Sequence, residues 1–198
     1  MNVIRSPPAA LQIACLVWFV LLSLSAGAQD SQSKSTSVTP LMRQMTGTWQ
    51  VRSRMWPGPN EKAVDLPHSV ARRELIRDSY LQEVLEPSDK SAQPPFTRIA
   101  YFNYNWINQQ YEYFSIDSRL PQMMSYVAPG ANKVRDGKVE LIGSGFVEPE
   151  WGQKKNVAFM YRLTIGPVEG NSQVVQLFLT EQNGKGAEFL AFEYVYSR

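Results

Sequence analysis

From Gly47 to the end of the chain, apolar and polar residues alternate with a period of two, and the 3.6-residue period of a helix is almost absent. The alternation predicts strands near 47–56, 69–76, 80–86, 96–103, 110–117, 123–128, 138–146, 155–165, 173–181 and 187–198. Turn-forming residues separate them: Pro57-Gly58-Pro59-Asn60, Pro94-Pro95, Pro129-Gly130, Asp136-Gly137, Gly170-Asn171 and Asn183-Gly184. Asp136-Gly137, between Arg135 and Lys138, is the clearest two-residue hairpin. The segment 69–76 (SVARRELI) fits two helical turns as well as a strand. Just before the strands, Thr39 is predicted to cap a short helical turn with Pro40 in its first position. Leu41, Met42 and Met45 would then press on the sheet below Trp49.

Ten such segments read as an all-β fold, an up-and-down antiparallel β-barrel of about ten strands with a short N-terminal helical turn. If the first strand rises from a floor at Trp49, the tenth descends and returns Arg198 to that floor. Trp49 would plug the closed end, and the guanidinium of Arg198 would lie over its face. The same parity puts the loops at 57–68, 87–95, 118–122, 147–154 and 182–186 around an open mouth. Those at 77–79, 104–109, 129–137 and 166–172 fall at the floor.

Facing follows from the same period. With Trp49 inward, Val51, Ser53 and Met55 share its face, and Gln50, Arg52 and Arg54 meet water. Arg198 inward brings Leu190, Phe192, Tyr194 and Tyr196 with it. Glu112 outward turns Tyr111, Tyr113, Ser115 and Asp117 in, and Val175, Leu177 and Leu179 line the ninth strand. This lining, apolar with a few hydroxyls and a carboxylate, suits a pocket for a small apolar or amphipathic molecule. A narrow barrel filled by its own side chains fits the pattern too. For the open barrel the candidate ligand contacts are Met55, Tyr113, Leu179 and Leu190, with Asp117 near the ligand's polar end. Asp117 pairs alternatively with a nearby Arg, since a buried carboxylate needs a partner. Trp56 and Trp151, each beside a Gly or Pro turn, stand at the entrance, where loop aromatics either grip a ligand or fold back over the barrel edge. Trp106 falls in a floor loop.

The N-terminal residues follow another pattern. Arg5 precedes an unbroken apolar run, Ile13 to Leu22, and Ala26-Gly27-Ala28 supplies the small residues a signal peptidase reads. Residues 1–28 therefore read as a signal peptide, and the protein as exported, most simply to a periplasm. The run is short of the ~20 residues that span a bilayer, so no stable membrane anchor is expected after cleavage. Cys15 lies inside the run, away from the cleavage point a lipoprotein would use. Polar, Ser-rich residues 29–38 (QDSQSKSTSV) read as a tether, leaving 39–198 as the folded domain.

Cys15 is the only cysteine, so the mature chain has no thiol for catalysis, metal or disulfide. About 170 residues are enough for one self-sufficient core. The net charge of +2 falls to +1 when Arg5 leaves, and basic residues occur only as scattered pairs such as Arg72-Arg73 and Lys154-Lys155. A nucleic-acid partner needs a basic stripe, which this chain lacks. His68 is the only histidine. With Asp65 and Ser69 it falls in a Pro-bounded loop that offers none of the strand-held geometry a catalytic triad needs. A lone histidine without cysteine leaves no zinc constellation, and no cofactor is expected. Gly143-Ser144-Gly145 and Gly184-Lys185-Gly186 lack the following helix that would cradle a phosphate and read as bulges or turns.

From Leu41 to Arg198 the chain resembles the bacterial lipocalin-like (calycin) family known as domain of unknown function 1579. The resemblance is carried by Leu41–Trp49 (LMRQMTGTW), Trp56-Pro57-Gly58, Asn103-Tyr104-Asn105 followed by Tyr111, Ile116-Asp117-Ser118, and the terminal Tyr196-Ser197-Arg198. It implies a lipocalin-like barrel sealed by Trp49 and Arg198, and it places 69–76 as a strand. The chain departs from the family at Arg77-Asp78, where Gly-Gly is common, and at Ser115, where Trp is common; the second change enlarges the interior. The family lends a fold but no activity. The sequence thus supports an exported ligand-binding barrel, with an envelope interaction module of filled interior as the alternative.

Overall fold

The polar-to-apolar switch at Thr39 becomes a helix as predicted. Helix α1 spans Pro40–Met45, and Thr39 accepts a hydrogen bond from the Met42 N–H while Pro40 takes the first turn, where no N–H is required. The computed structural model describes residues 38–91, 95–128, 134–151, 154–182 and 186–198, all in one unit running from Thr36 to Arg198. The predicted signal peptide and all of the tether but Val38 lie outside the described residues. So do Pro94, Pro129-Gly130, Asn183-Gly184 and Lys185 of the predicted turns. Val38 itself belongs to the core and is buried.

The strands are β1 (Gly47–Met55), β2 (Val64–Asp65), β3 (Ser69–Ile76), β4 (Tyr80–Pro87), β5 (Arg98–Asn105), β6 (Gln110–Asp117) and β7 (Leu120–Val127). They continue as β8 (Val134–Arg135), β9 (Lys138–Gly143), β10 (Phe146–Trp151), β11 (Lys154–Ile165), β12 (Ser172–Glu181) and β13 (Phe189–Ser197). Ten of them close an antiparallel barrel in the order β1-β3-β4-β5-β6-β7-β9-β11-β12-β13, and β13 pairs back onto β1. The short β2, β8 and the longer β10 add to β1, β9 and β11 respectively. The segment 69–76 is a strand, paired throughout with β4. Asp136 and Gly137 both have positive φ, 52° and 73°, the conformation of a tight two-residue hairpin.

Alternation is realised on β1, where Trp49, Val51 and Ser53 are buried while Gln50, Arg52 and Arg54 are exposed. The floor is built around Trp49. Its indole Nε1 donates to the Met45 carbonyl at 2.9 Å, and Met42 and Met45 of α1 are buried beneath the barrel. The Arg198 guanidinium lies 4.3 Å from the centre of the Trp49 ring. It also donates to the carbonyls of Thr46 (2.8 Å) and Gln44 (3.4 Å), acceptors that the helix end leaves without partners.

The predicted strand 138–146 is broken. Ser144 and Gly145 (φ 91°) separate β9 from β10, and only Tyr126↔Gly143 and Val127↔Ile142 join β7 to β9. Above that point, among the described residues, no ladder pairing joins β7 to β10. A side chain spans the gap: Gln122 Nε2 donates to the Val147 carbonyl at 3.1 Å. Both flanking strands carry a proline, Pro121 and Pro149, which has no N–H to give a ladder. Below the seam the wall is tied by Tyr161 of β11. Its ring crosses Gly143, and its hydroxyl donates to the Ser125 carbonyl of β7 at 3.1 Å. A Cβ on Gly143 would fall 1.4 Å from that ring, so only glycine fits there.

Candidate functional site

The barrel is not filled. A cavity of about 420 Å3 occupies its upper half and is lined from β1, β4, β5, β6, β7, β10, β11, β12 and β13. Its walls are mainly apolar. Met55, Leu85, Leu177 and Leu179 share them with aromatic rings such as Phe146 and Phe192. Ser115, buried at the wall, stands where a large side chain would reduce the space.

Five of the seven residues predicted as ligand contacts line this cavity: Met55, Tyr113, Asp117, Trp151 and Leu179. Trp151 sits at the end of β10 with its ring 5.3 Å from Phe159 and 6.4 Å from Phe192, so it both closes the edge and faces the space. Asp117 is occupied. Its carboxylate accepts from the Arg119 guanidinium at 2.6 and 2.9 Å and from the Arg119 N–H, and these bonds hold it below its ordinary range against the opposing effect of burial.

Two predicted placements are corrected. Trp56 is not at the inner entrance. It follows Met55 by one residue and so faces outward, where the Arg54 guanidinium lies 5.3 Å from its ring. Leu190 is turned out by a β-bulge: Leu177 pairs with Phe192, but Phe178 pairs with Leu190, leaving Ala191 over. The inner position opposite Leu179 passes to Phe189, whose ring is 6.4 Å from Trp151. Trp106 is half exposed in the β5–β6 turn. Ser69 donates to the Pro67 carbonyl (3.4 Å), and no hydrogen bond or ion pair among the described residues links it with Asp65 and His68. Nor do those residues contain a group of three or more His, Cys, Asp or Glu that could hold a metal ion.

Between floor and cavity lies a charged layer absent from the sequence-based expectations. Glu83 of β4 accepts from Arg73 Nε at 2.7 Å and from Arg98 Nη2 at 2.7 Å. Arg73 also donates to Gln173 Oε1 at 2.6 Å and lies 3.9 Å from the centre of the Tyr196 ring. Burial opposes the ionisation of Glu83, but the two guanidiniums outweigh it and hold its carboxyl at about 2. Burial raises Tyr196 to about 12, so its phenol stays neutral. Arg98, Tyr113, Leu163 and Tyr194 line both the large cavity and a small void of about 30 Å3 beneath it, and so form the partition between them. The signal was present: Leu81-x-Glu83-x-Leu85 and Ala71-x-Arg73 put charges on the inward face of their strands.

At the mouth, Glu148 and Glu150 flank Pro149 on β10 and line the cavity's outer part. Partial burial raises the Glu148 carboxyl above its ordinary value.

Residues 35–198 match the family described as "protein of unknown function (DUF1579)", and the chain belongs to that family. No curated protein matches it.

Proposed function

We propose that this member of the family is an exported container that binds one small apolar or amphipathic molecule inside its barrel. The observation that carries the reading is the cavity of about 420 Å3, which lies within the usual ligand-pocket range of ~300–1,000 Å3. Its apolar wall favours displacement of water by a hydrocarbon body, and its charged groups lie at its two ends, Arg98 at the floor and Asp117, Arg119, Glu148 and Glu150 at the mouth. Met55, Tyr113, Leu179 and Trp151 would hold that body. Export is supported by the N-terminal order of Arg5, apolar run and Ala26-Gly27-Ala28.

Native mass spectrometry of the protein purified from its own host tests this. A mass increment of a small organic molecule, lost on denaturation, is expected. A bare chain that also takes up no neutral apolar probe at micromolar concentration would overturn the reading in favour of an interaction module.

A further inference from the structure

The charged layer under the cavity is not balanced. It contains two guanidiniums, Arg73 and Arg98, and the single carboxylate of Glu83. Arg73 is fully engaged, bonded to Glu83 and Gln173 and packed on Tyr196. Arg98 is not. Its Nη2 donates to Glu83 and, at 3.2 Å, to the Tyr196 hydroxyl, but its Nε is buried with no acceptor among the described residues. Buried N–H donors almost always have a partner, and a charged one most of all. The residue itself is 9% exposed, is held against Tyr194 with 4.7 Å from guanidinium to ring centre, and lines the floor of the large cavity. It remains charged: burial opposes the charge, but the guanidinium stays above its ordinary range with the Glu83 carboxylate bonded to it.

We propose that the deep end of the cavity is an anion site, in which Arg98 receives the carboxylate-sized head group of an anionic amphiphile whose apolar body fills the space above. The inference rests on the container reading and adds a charge and an orientation to it. An anion there brings two positive and two negative charges into the layer and supplies the acceptor that Nε lacks. The opposite orientation is disfavoured by the mouth, where Asp117 is already paired with Arg119 and Glu148 and Glu150 add negative charge. The body would lie along Leu85, Met124 and Leu177, with its end towards Trp151.

The test compares dodecanoate, dodecanol and dodecylamine as competitors of a neutral naphthylamine fluorophore in the mature protein. Dodecanoate should bind roughly ten- to a hundred-fold more tightly than dodecanol, the size of one charge-assisted hydrogen bond. Arg98→Met should abolish that advantage while leaving dodecanol within about two-fold, because Arg73 and Glu83 remain as a neutral pair. A measurement on the wild type stands if that variant does not fold. The carboxyl 13C signal of labelled, bound dodecanoate should stay that of the ionised form below the usual carboxylate range. Equal binding of acid and alcohol, or a carboxyl that titrates normally, would overturn the anion site and leave the container standing; such results are expected if a water in the small void satisfies Nε. Preference for the amine would overturn it in favour of a cation at the mouth. Failure of all three competitors and of the fluorophore would overturn both readings.

Discussion

Arg198 and Trp49, at opposite ends of the folded chain, meet face to face at the barrel floor, with the guanidinium 4.3 Å from the indole centre. The contact does more than cover a ring. Arg198 also caps the last carbonyls of α1, so one side chain fastens the last strand, the first strand and the helix together.

Trp49→Ala is therefore expected to cost ~3–5 kcal/mol, the range for emptying an aromatic site in a packed core. Arg198→Ala, at the exposed edge, should cost about 0.5–1 kcal/mol. Denaturant melts of both variants check the order and the gap between them.

Removing the charge of Glu83 should be severe. Glu83→Gln leaves two buried guanidiniums without a counter-charge, and breaking such a group costs ~3–5 kcal/mol. Equilibrium unfolding at neutral pH measures it. A loss under 1 kcal/mol would show that water reaches the layer.

The same carboxylate predicts an acid dependence. Its folded value of about 2 lies below the ordinary 4.5, so its contribution is complete above ~pH 4.5 and lost as the pH falls towards 2. Chemical melts from pH 7 to 2 should show the wild type losing its advantage over Glu83→Gln across that window, and no part of it between pH 7 and 5.

Facing separates three variants at the mouth. Met55→Trp should block binding of a neutral apolar fluorophore by filling the upper barrel, with some cost from overpacking. Trp151→Ala should weaken binding about ten-fold. Trp56→Ala, whose ring packs on Arg54 outside the barrel, should leave affinity unchanged. Titrations with matched circular dichroism spectra distinguish these outcomes.

Gly143→Ala should destabilise by ~1–3 kcal/mol, because the new methyl group displaces the Tyr161 ring. In a Tyr161→Ala background the same change should cost much less, since the clash is gone. A double-mutant cycle by thermal melts reads the coupling.

The barrel was legible because its signals are local and repeat. Period-two alternation gave the strands, their even number brought Arg198 to Trp49, and turn residues such as Asp136-Gly137 marked the reversals. The misplaced residues show where that logic stops. Leu190 was assigned by counting back from Arg198, and the extra residue of a bulge at Ala191 reverses the count while leaving no mark in the hydrophobic pattern. Trp56 is different: alternation from Trp49 itself turns it outward, and a place beside a Pro-Gly turn at the rim does not bring a ring inside. The layer of Arg73, Glu83 and Arg98 was readable as charges at inward positions. The pairing of Arg73 with Glu83 was readable too, because the short 77–79 turn sets them opposite each other, but that of Arg98 was not, because its register is set only after the long 88–97 connection.

The unpaired margin between β7 and β10 changes what limits the barrel's contents. A hoop closed by hydrogen bonds all the way round admits a wider object only by rupturing some of them. A hoop split on one side would yield like a spring clip, resisted at its upper half by the Gln122–Val147 hydrogen bond and by the stiffness of the strands. Below, the Tyr161 tie to Ser125 acts as the clip's fixed end. For the container proposed above, the girth of the cargo would thus be set by elasticity at the rim, and the shape of its innermost end by the tied wall below.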